Sequence, residues 1–174
     1  HNFAGGAVVP LDNMAAIRAL ADEYNLPVHL DGARVFNAAA ALGKPVSEIT
    51  KYADSVNVCL SKGLSAPVGS VLAGPEAFIE RARHYRKLFG GGMRQAGVLA
   101  AAGIIALTEM TERLFEDNEN AHALAVGLAG LKGISIDPRY VQTNIVIFDV
   151  SKTGMTADAF AEKLKGFGVL ASVP

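Results

Sequence analysis

Lys62 stands in Ser61-Lys62-Gly63, directly after the apolar run Ser55-Val56-Asn57-Val58-Cys59-Leu60. A short apolar run of this kind predicts a buried β-strand. A lysine just past its end, in a loop of small residues, can present an amine to an aldehyde and form a Schiff base. An earlier strand, Val28-His29-Leu30, ends in the same way on Asp31, followed by Gly32-Ala33-Arg34. In open α/β sheets, ligands bind beyond the carboxyl ends of the strands. Asp31 and Lys62 both sit at such ends, one strand–helix–strand unit apart. If their strands are neighbours, they share one crevice.

An amine and a carboxylate so placed are what a pyridoxal phosphate (PLP) site needs. The lysine forms the Schiff base, and the aspartate keeps the pyridine nitrogen protonated. Each residue also has a plainer reading. Asp31 suits the N-cap of the following helix, where a carboxylate satisfies free backbone N–H groups. A loop lysine is commonly solvated and inert; here Gly63, Ser65 and Ala66 let the backbone approach a ligand and shield the amine. Ser61 can donate its hydroxyl to a phosphate. A Ser61–Lys62 nucleophile pair is disfavoured, because adjacent residues of an extended segment point oppositely. Arg34 is either a surface helix residue or a charge facing the cofactor's phenolate oxygen or a substrate carboxylate. His29 shares a strand face with Asp31 and reads as a satisfied core histidine; His84 and His122 read as surface residues. Gly90-Gly91-Gly92-Met93-Arg94-Gln95 is a glycine loop opening a helix, either an anion site or a hinge, and Lys87 adds positive charge before it.

The elements that must position these groups follow from periodicity. Apolar spacing predicts helices over 11–24, 33–42, 46–52, 75–88 and 93–110, with a helix continuing or restarting over 111–131. Strands are expected at 28–31, 55–60 and 68–73. This alternation argues an α/β layer with a mostly parallel sheet. Beyond it, strands at 134–136, 144–150 and 169–171 around a helix at 156–165 predict a smaller α+β unit. The division is placed between 1–113 and 114–174.

Composition excludes several classes. Of the 174 residues, 51% are hydrophobic, enough for a real core, and the net charge of −1 with scattered Lys and Arg leaves no footprint for nucleic acid or a membrane surface. The longest apolar stretch, 96–107, is too short to span a bilayer. The single cysteine, Cys59, excludes an internal disulfide and fits a reducing, cytoplasmic setting. The abrupt ends, a loop at 1–6 and Pro174 after a strand, are those expected of a piece of a longer protein. A dinucleotide-binding domain needs a glycine-rich turn after the first strand, and Gly5-Gly6 does not fit that spacing.

The quoted residues together resemble the low-specificity L-threonine aldolases, within the fold-type-I PLP enzymes. The resemblance rests on 29–38, on 59–64 with 67–70, and on Arg86-Lys87 with 90–95, joined by Gln142-Thr143-Asn144. It covers essentially the whole chain. It implies the C-terminal half of a PLP-binding large domain, then part of a small domain. It implies Lys62 as the Schiff-base lysine, Asp31 on the pyridine nitrogen and Arg34 near the phenolate oxygen. Lys87 and Arg94 resemble basic residues near the active site, Arg94 reaching the neighbouring subunit's cofactor in a homodimer or homotetramer. His1-Asn2 resembles the turn beside the cofactor ring. The activity implied is cleavage of L-threonine or L-allo-threonine to glycine and acetaldehyde, without a metal. The alternatives are β-elimination on the same fold, or a non-catalytic piece, since the family's enzymes are about twice this length. Their phosphate-binding residues and ring-stacking histidine precede this segment, and their carboxylate-binding arginine follows it.

Overall fold

The computed structural model describes residues 4–173, so the expectation for His1 and Asn2 lies outside the described residues. Two compact units are present: one comprises 8–117, the other 118–173 with 4–7.

In the first unit, helix α1 (Leu11–Glu23) leads to strand β1 (His29–Asp31), then helices α2 (Val35–Leu42) and α3 (Ser47–Thr50) and strand β2 (Ser55–Cys59). Strand β3 (Ser70–Ala73), α4 (Glu76–Leu88) and α5 (Gly97–Thr108) follow. Helix α1 ends where Asn25 turns left-handed (φ 53°), a conformation that asparagine tolerates at a helix C-terminus. β1 and β2 pair in parallel, with His29 opposite Ser55, Leu30 opposite Val56 and Asp31 opposite Asn57. β3 pairs antiparallel with the other side of β2.

The sheet is therefore mixed, where a mostly parallel one was expected. Parallel strands need a crossover, which α2 and α3 provide between β1 and β2. The connection 60–69 holds no helix and turns straight back, so β3 returns antiparallel. Strand side chains alternate between faces. Leu30 and Val58 accordingly pack with Leu11 and Met14 against Val35, Ala38, Ala39 and Ile49, while His29 and Asp31 take the other face. A second core gathers Leu60, Leu64, Ala66, Ala106 and Leu114.

Helix α5 starts later than the predicted residue 93. Gln95 adopts a left-handed backbone (φ 50°), which ends any helical run before it. A 3-10 turn, Met110–Arg113, separates α5 from α6 (Leu114–Ala129).

Arg18 ties α1 to the sheet. It pairs with Asp54 at 2.8 Å, and the same Asp54 oxygen accepts from Val28 N–H at 2.7 Å. The Val28 N–H first, and Arg18 second, hold the Asp54 carboxyl below its ordinary value of 3.8. A depressed carboxyl favours the fold above its unfolded value and loses that contribution as pH falls through the folded one. Asp54→Ala should therefore lower the urea midpoint at pH 7. The difference from the parent should shrink below pH 3.8. A gap of constant size down to pH 2.5 would refute this electrostatic account.

In the second unit, α6 packs Ala121 and Ala125 on Val141, with Ile136 and Val146 alongside. Thr143, fully buried, donates its hydroxyl to the Gly6 carbonyl at 2.7 Å. The strands expected at 134–136, 144–150 and 169–171 reduce to one bridge, Ser135 to Asp149. Two aspartates cut the extended segments short: Asp137 accepts from Arg139 N–H at 3.0 Å and Asp149 from Ser151 N–H at 2.8 Å. Such local turns compete with sheet pairing. Helix α7 (Ala157–Gly166) is capped by Thr156, whose hydroxyl accepts from Ala159 N–H at 3.2 Å.

Candidate active site

Asp31 and Lys62 lie at the carboxyl ends of two neighbouring parallel strands, β1 and β2. The carboxyl ends of such strands are where α/β sheets bind ligands. Asp31 does not cap α2, as its spacing had suggested. Its Oδ1 accepts instead from Ala33 N–H at 3.1 Å, a turn that leaves α2 to begin after Arg34 without a side-chain cap. Asn57 Nδ2 donates to the same oxygen at 3.2 Å. Asp31 Oδ2 accepts no hydrogen bond among the described residues.

These contacts hold Asp31 ionised. The Ala33 N–H, then the Asn57 amide, set its carboxyl below 3.8, and the Lys62 charge acts in the same direction. Partial burial opposes them without reversing the direction. Lys62 is thus near enough for its field to reach Asp31, although no direct ion pair joins them among the described residues.

The loop bearing Lys62 is tightly closed. Leu60 N–H donates to Gly69 O at 2.9 Å, Ala66 N–H to Leu60 O at 2.9 Å and Ser65 N–H to Lys62 O at 2.9 Å. Leu60, Leu64 and Ala66 are buried, so the backbone on both sides of Lys62 is anchored in the core. Two glycines permit the close approach. A Cβ on Gly32 would lie 2.7 Å from Val56 Cγ2 and 2.8 Å from the Asn57 carbonyl oxygen. One on Gly63 would lie 2.9 Å from Leu114 Cδ2 and 3.1 Å from Asn37 Oδ1. A larger residue at 32 would press on the Asn57 backbone and spread the strand ends, whereas one at 63 would push aside the side-chain tips of Leu114 and Asn37.

The remaining expected residues divide. Arg34 lines a small crevice with Ala33, Asn37, Cys59 and Gly63, on the side of α2 facing the lysine loop. Ser61 is exposed beside Lys62. Lys62 is itself exposed, so the shielding expected from its small neighbours is not supplied by the described residues. Lys87 lies in the last turn of α4 and Arg94 in the loop after it; both are exposed, and neither is bonded to Asp31 or Lys62 among the described residues. His29 is exposed rather than core, though both ring nitrogens are engaged, by Ser55 at 2.8 Å and by Asn57 at 3.1 Å. Asn57 is the residue that sequence reasoning missed. Its only signal was a polar side chain at the centre of an apolar strand.

An α/β unit with a carboxylate and a lysine on adjacent strand ends is a recognisable class of enzyme scaffold. The model of the beta-eliminating lyase family matches residues 1–151, and the chain belongs to that family. It is 44% identical over 171 residues to low-specificity L-threonine aldolase 1 of Arabidopsis thaliana, covering 98% of this chain and 48% of the relative. It is 43% identical over 170 residues to the low specificity L-threonine aldolase of Escherichia coli (strain K12), covering 98% of this chain and 50% of the relative. The chain thus spans about half the length of the curated relatives it matches. A solved structure from Exiguobacterium sp. 255-15, described as an aromatic amino acid beta-eliminating lyase/threonine aldolase, matches with a TM-score of 0.72. Its identity is 28%, over 80% of this chain and 40% of that one.

Proposed function

We propose that this chain supplies the lysine and its carboxylate partner to a PLP-dependent aldehyde-lyase. Its reaction is the retro-aldol cleavage of L-threonine or L-allo-threonine to glycine and acetaldehyde. The substrate is taken from the threonine aldolases it matches at 44% and 43% identity. One observation carries the site: Asp31 is held ionised through Oδ1 alone, with Oδ2 left open, on the strand next to the one that leads into Lys62.

The donor set fits PLP. An acceptor-only carboxylate suits a protonated ring nitrogen, a nearby primary amine suits an aldehyde, and Arg34 and Ser61 offer donors to anionic oxygens. When bound, the cofactor supplies the aldehyde and a ring that takes up the electrons of the broken Cα–Cβ bond. Asp31 holds a proton on the nitrogen set against it, because its own affinity for that proton is depressed. Lys62 would provide the amine that bonds the cofactor's aldehyde. Asn2, Arg34, Ser61 and Arg94 are assigned to binding the cofactor, and Lys87 and Arg34 to the neighbourhood of the substrate.

The large domain is assigned to 1–113 and the partial small domain to 114–174. A homodimer or homotetramer is the assembly proposed, in the cytoplasm. Helix α5 supports a further covering layer, since it is apolar on every side yet leaves Val98 74% and Ile104 62% exposed. Among the described residues no helix is long and apolar enough to cross a membrane.

The family match favours one second reading, β-elimination. Products separate the two: glycine and acetaldehyde against pyruvate and ammonia. Asp31→Asn in the intact protein should retain the cofactor and slow cleavage by roughly 10²-fold, within the range of a lost proton-handling group. Unchanged turnover would leave Asp31 as no more than the maker of the Ala33 turn.

A further inference from the structure

The four polar residues Ser55, His29, Asn57 and Asp31 lie on one face of the β1–β2 pair, joined end to end. The parallel register sets His29 opposite Ser55 and Asp31 opposite Asn57, and the two-residue period turns all four to the same side. His29 Nδ1 lies 2.8 Å from Ser55 Oγ, His29 Nε2 lies 3.1 Å from Asn57 Oδ1, and Asn57 Nδ2 lies 3.2 Å from Asp31 Oδ1. Ser55, at the far end, is buried, and the Phe78 ring stands 6.5 Å from the imidazole.

The donors in this line are determined by elimination. An ionised carboxylate only accepts, so Asn57 must turn its NH2 toward Asp31. Its carbonyl oxygen then faces His29 and also only accepts. Nε2 of His29 therefore carries a proton. In the neutral ring Nδ1 is then bare and accepts the Ser55 hydroxyl. Every dipole points its positive end toward the carboxylate, and bonds aligned in this way strengthen one another.

We propose that Ser55, His29 and Asn57 form a one-way hydrogen-bond line that positions Asp31 for the cofactor's ring nitrogen. The line and the Ala33 N–H both grip Oδ1. The carboxylate plane is thereby fixed and Oδ2 is kept for the ligand. His29 and Asn57 are positioning residues, since both act only through Asp31. The use assigned to the line rests on the PLP reading; the line itself does not.

Two measurements test it. The first needs no cofactor. In the intact protein with 15N-labelled histidine, the His29 signal, identified by its loss in His29→Gln, should show the Nε2–H tautomer. Asn57→Leu should release that preference into a mixture. An Nδ1–H tautomer in the parent, or a preference unchanged by Asn57→Leu, overturns the line. The second uses PLP labelled with 15N in its ring. Asn57→Leu and His29→Leu should each move the ring-nitrogen resonance toward the unprotonated position. Each should lower kcat about 10-fold with KM unchanged, the size expected when an aligning hydrogen bond is lost. Because the two act in series, the double variant should go no further than Asn57→Leu alone. Additive effects, or no shift of the ring nitrogen, overturn the positioning role. A parent that takes up no PLP refutes the function proposed above, and the tautomer result then decides the line by itself.

Discussion

Lys62→Ala in the intact protein should lower turnover of L-threonine by about 10³-fold or more, the scale of losing the group that forms the covalent bond. The same variant should lose the visible absorption of covalently held PLP, and borohydride should fix no cofactor on the peptide carrying position 62. The protein should nevertheless fold as before. Lys62 is exposed and contributes no side chain to either core of its unit. Its loop is held by Leu60, Leu64 and Ala66 and by backbone bonds that alanine keeps. A yellow variant with full turnover would remove Lys62 from the chemistry altogether.

Leu114→Ala should give the largest loss of stability. Leu114 is 1% exposed and fills the core formed by Leu60, Leu64, Ala66 and Ala106. Truncating such a leucine costs about 2–5 kcal/mol, from lost burial and the cavity left behind. The site should suffer as well, because Leu114 Cδ2 lies beneath Gly63, one residue from Lys62. A fall in urea midpoint at constant m-value, together with weaker retention of PLP, is the expected pair of results. A stability change below about 1 kcal/mol would mean that the cavity collapses freely and that the lysine loop does not depend on it.

Much of the site was legible because it depends on local order. The apolar run ending at Cys59-Leu60 determined a strand, and with it a lysine at the strand's carboxyl end. The same holds for Val28-His29-Leu30 and Asp31. Period-two alternation alone was enough to set His29 and Asp31 on one face and Leu30 on the other. The close packing at Gly32, where a Cβ would meet Val56 Cγ2 and the Asn57 carbonyl oxygen, had no such signal in the sequence.

The rest depended on which strand lies beside which, and in what register. A shift of one residue would have set Asn57 on the opposite face and left Asp31 without its amide donor. No pattern within either strand specifies that alignment; it follows from the α2–α3 crossover and the packing of Leu30 and Val58 on one core. The direction of β3 likewise followed from a connection without a helix, and the aspartate turns at 137 and 149 bound the expected strands at 134–136 and 144–150. Sequence by itself determined which groups could do chemistry and which face each would occupy. Tertiary structure alone decided which of them meet, because side-chain alternation is a property of one strand and a hydrogen-bonded site is a property of two.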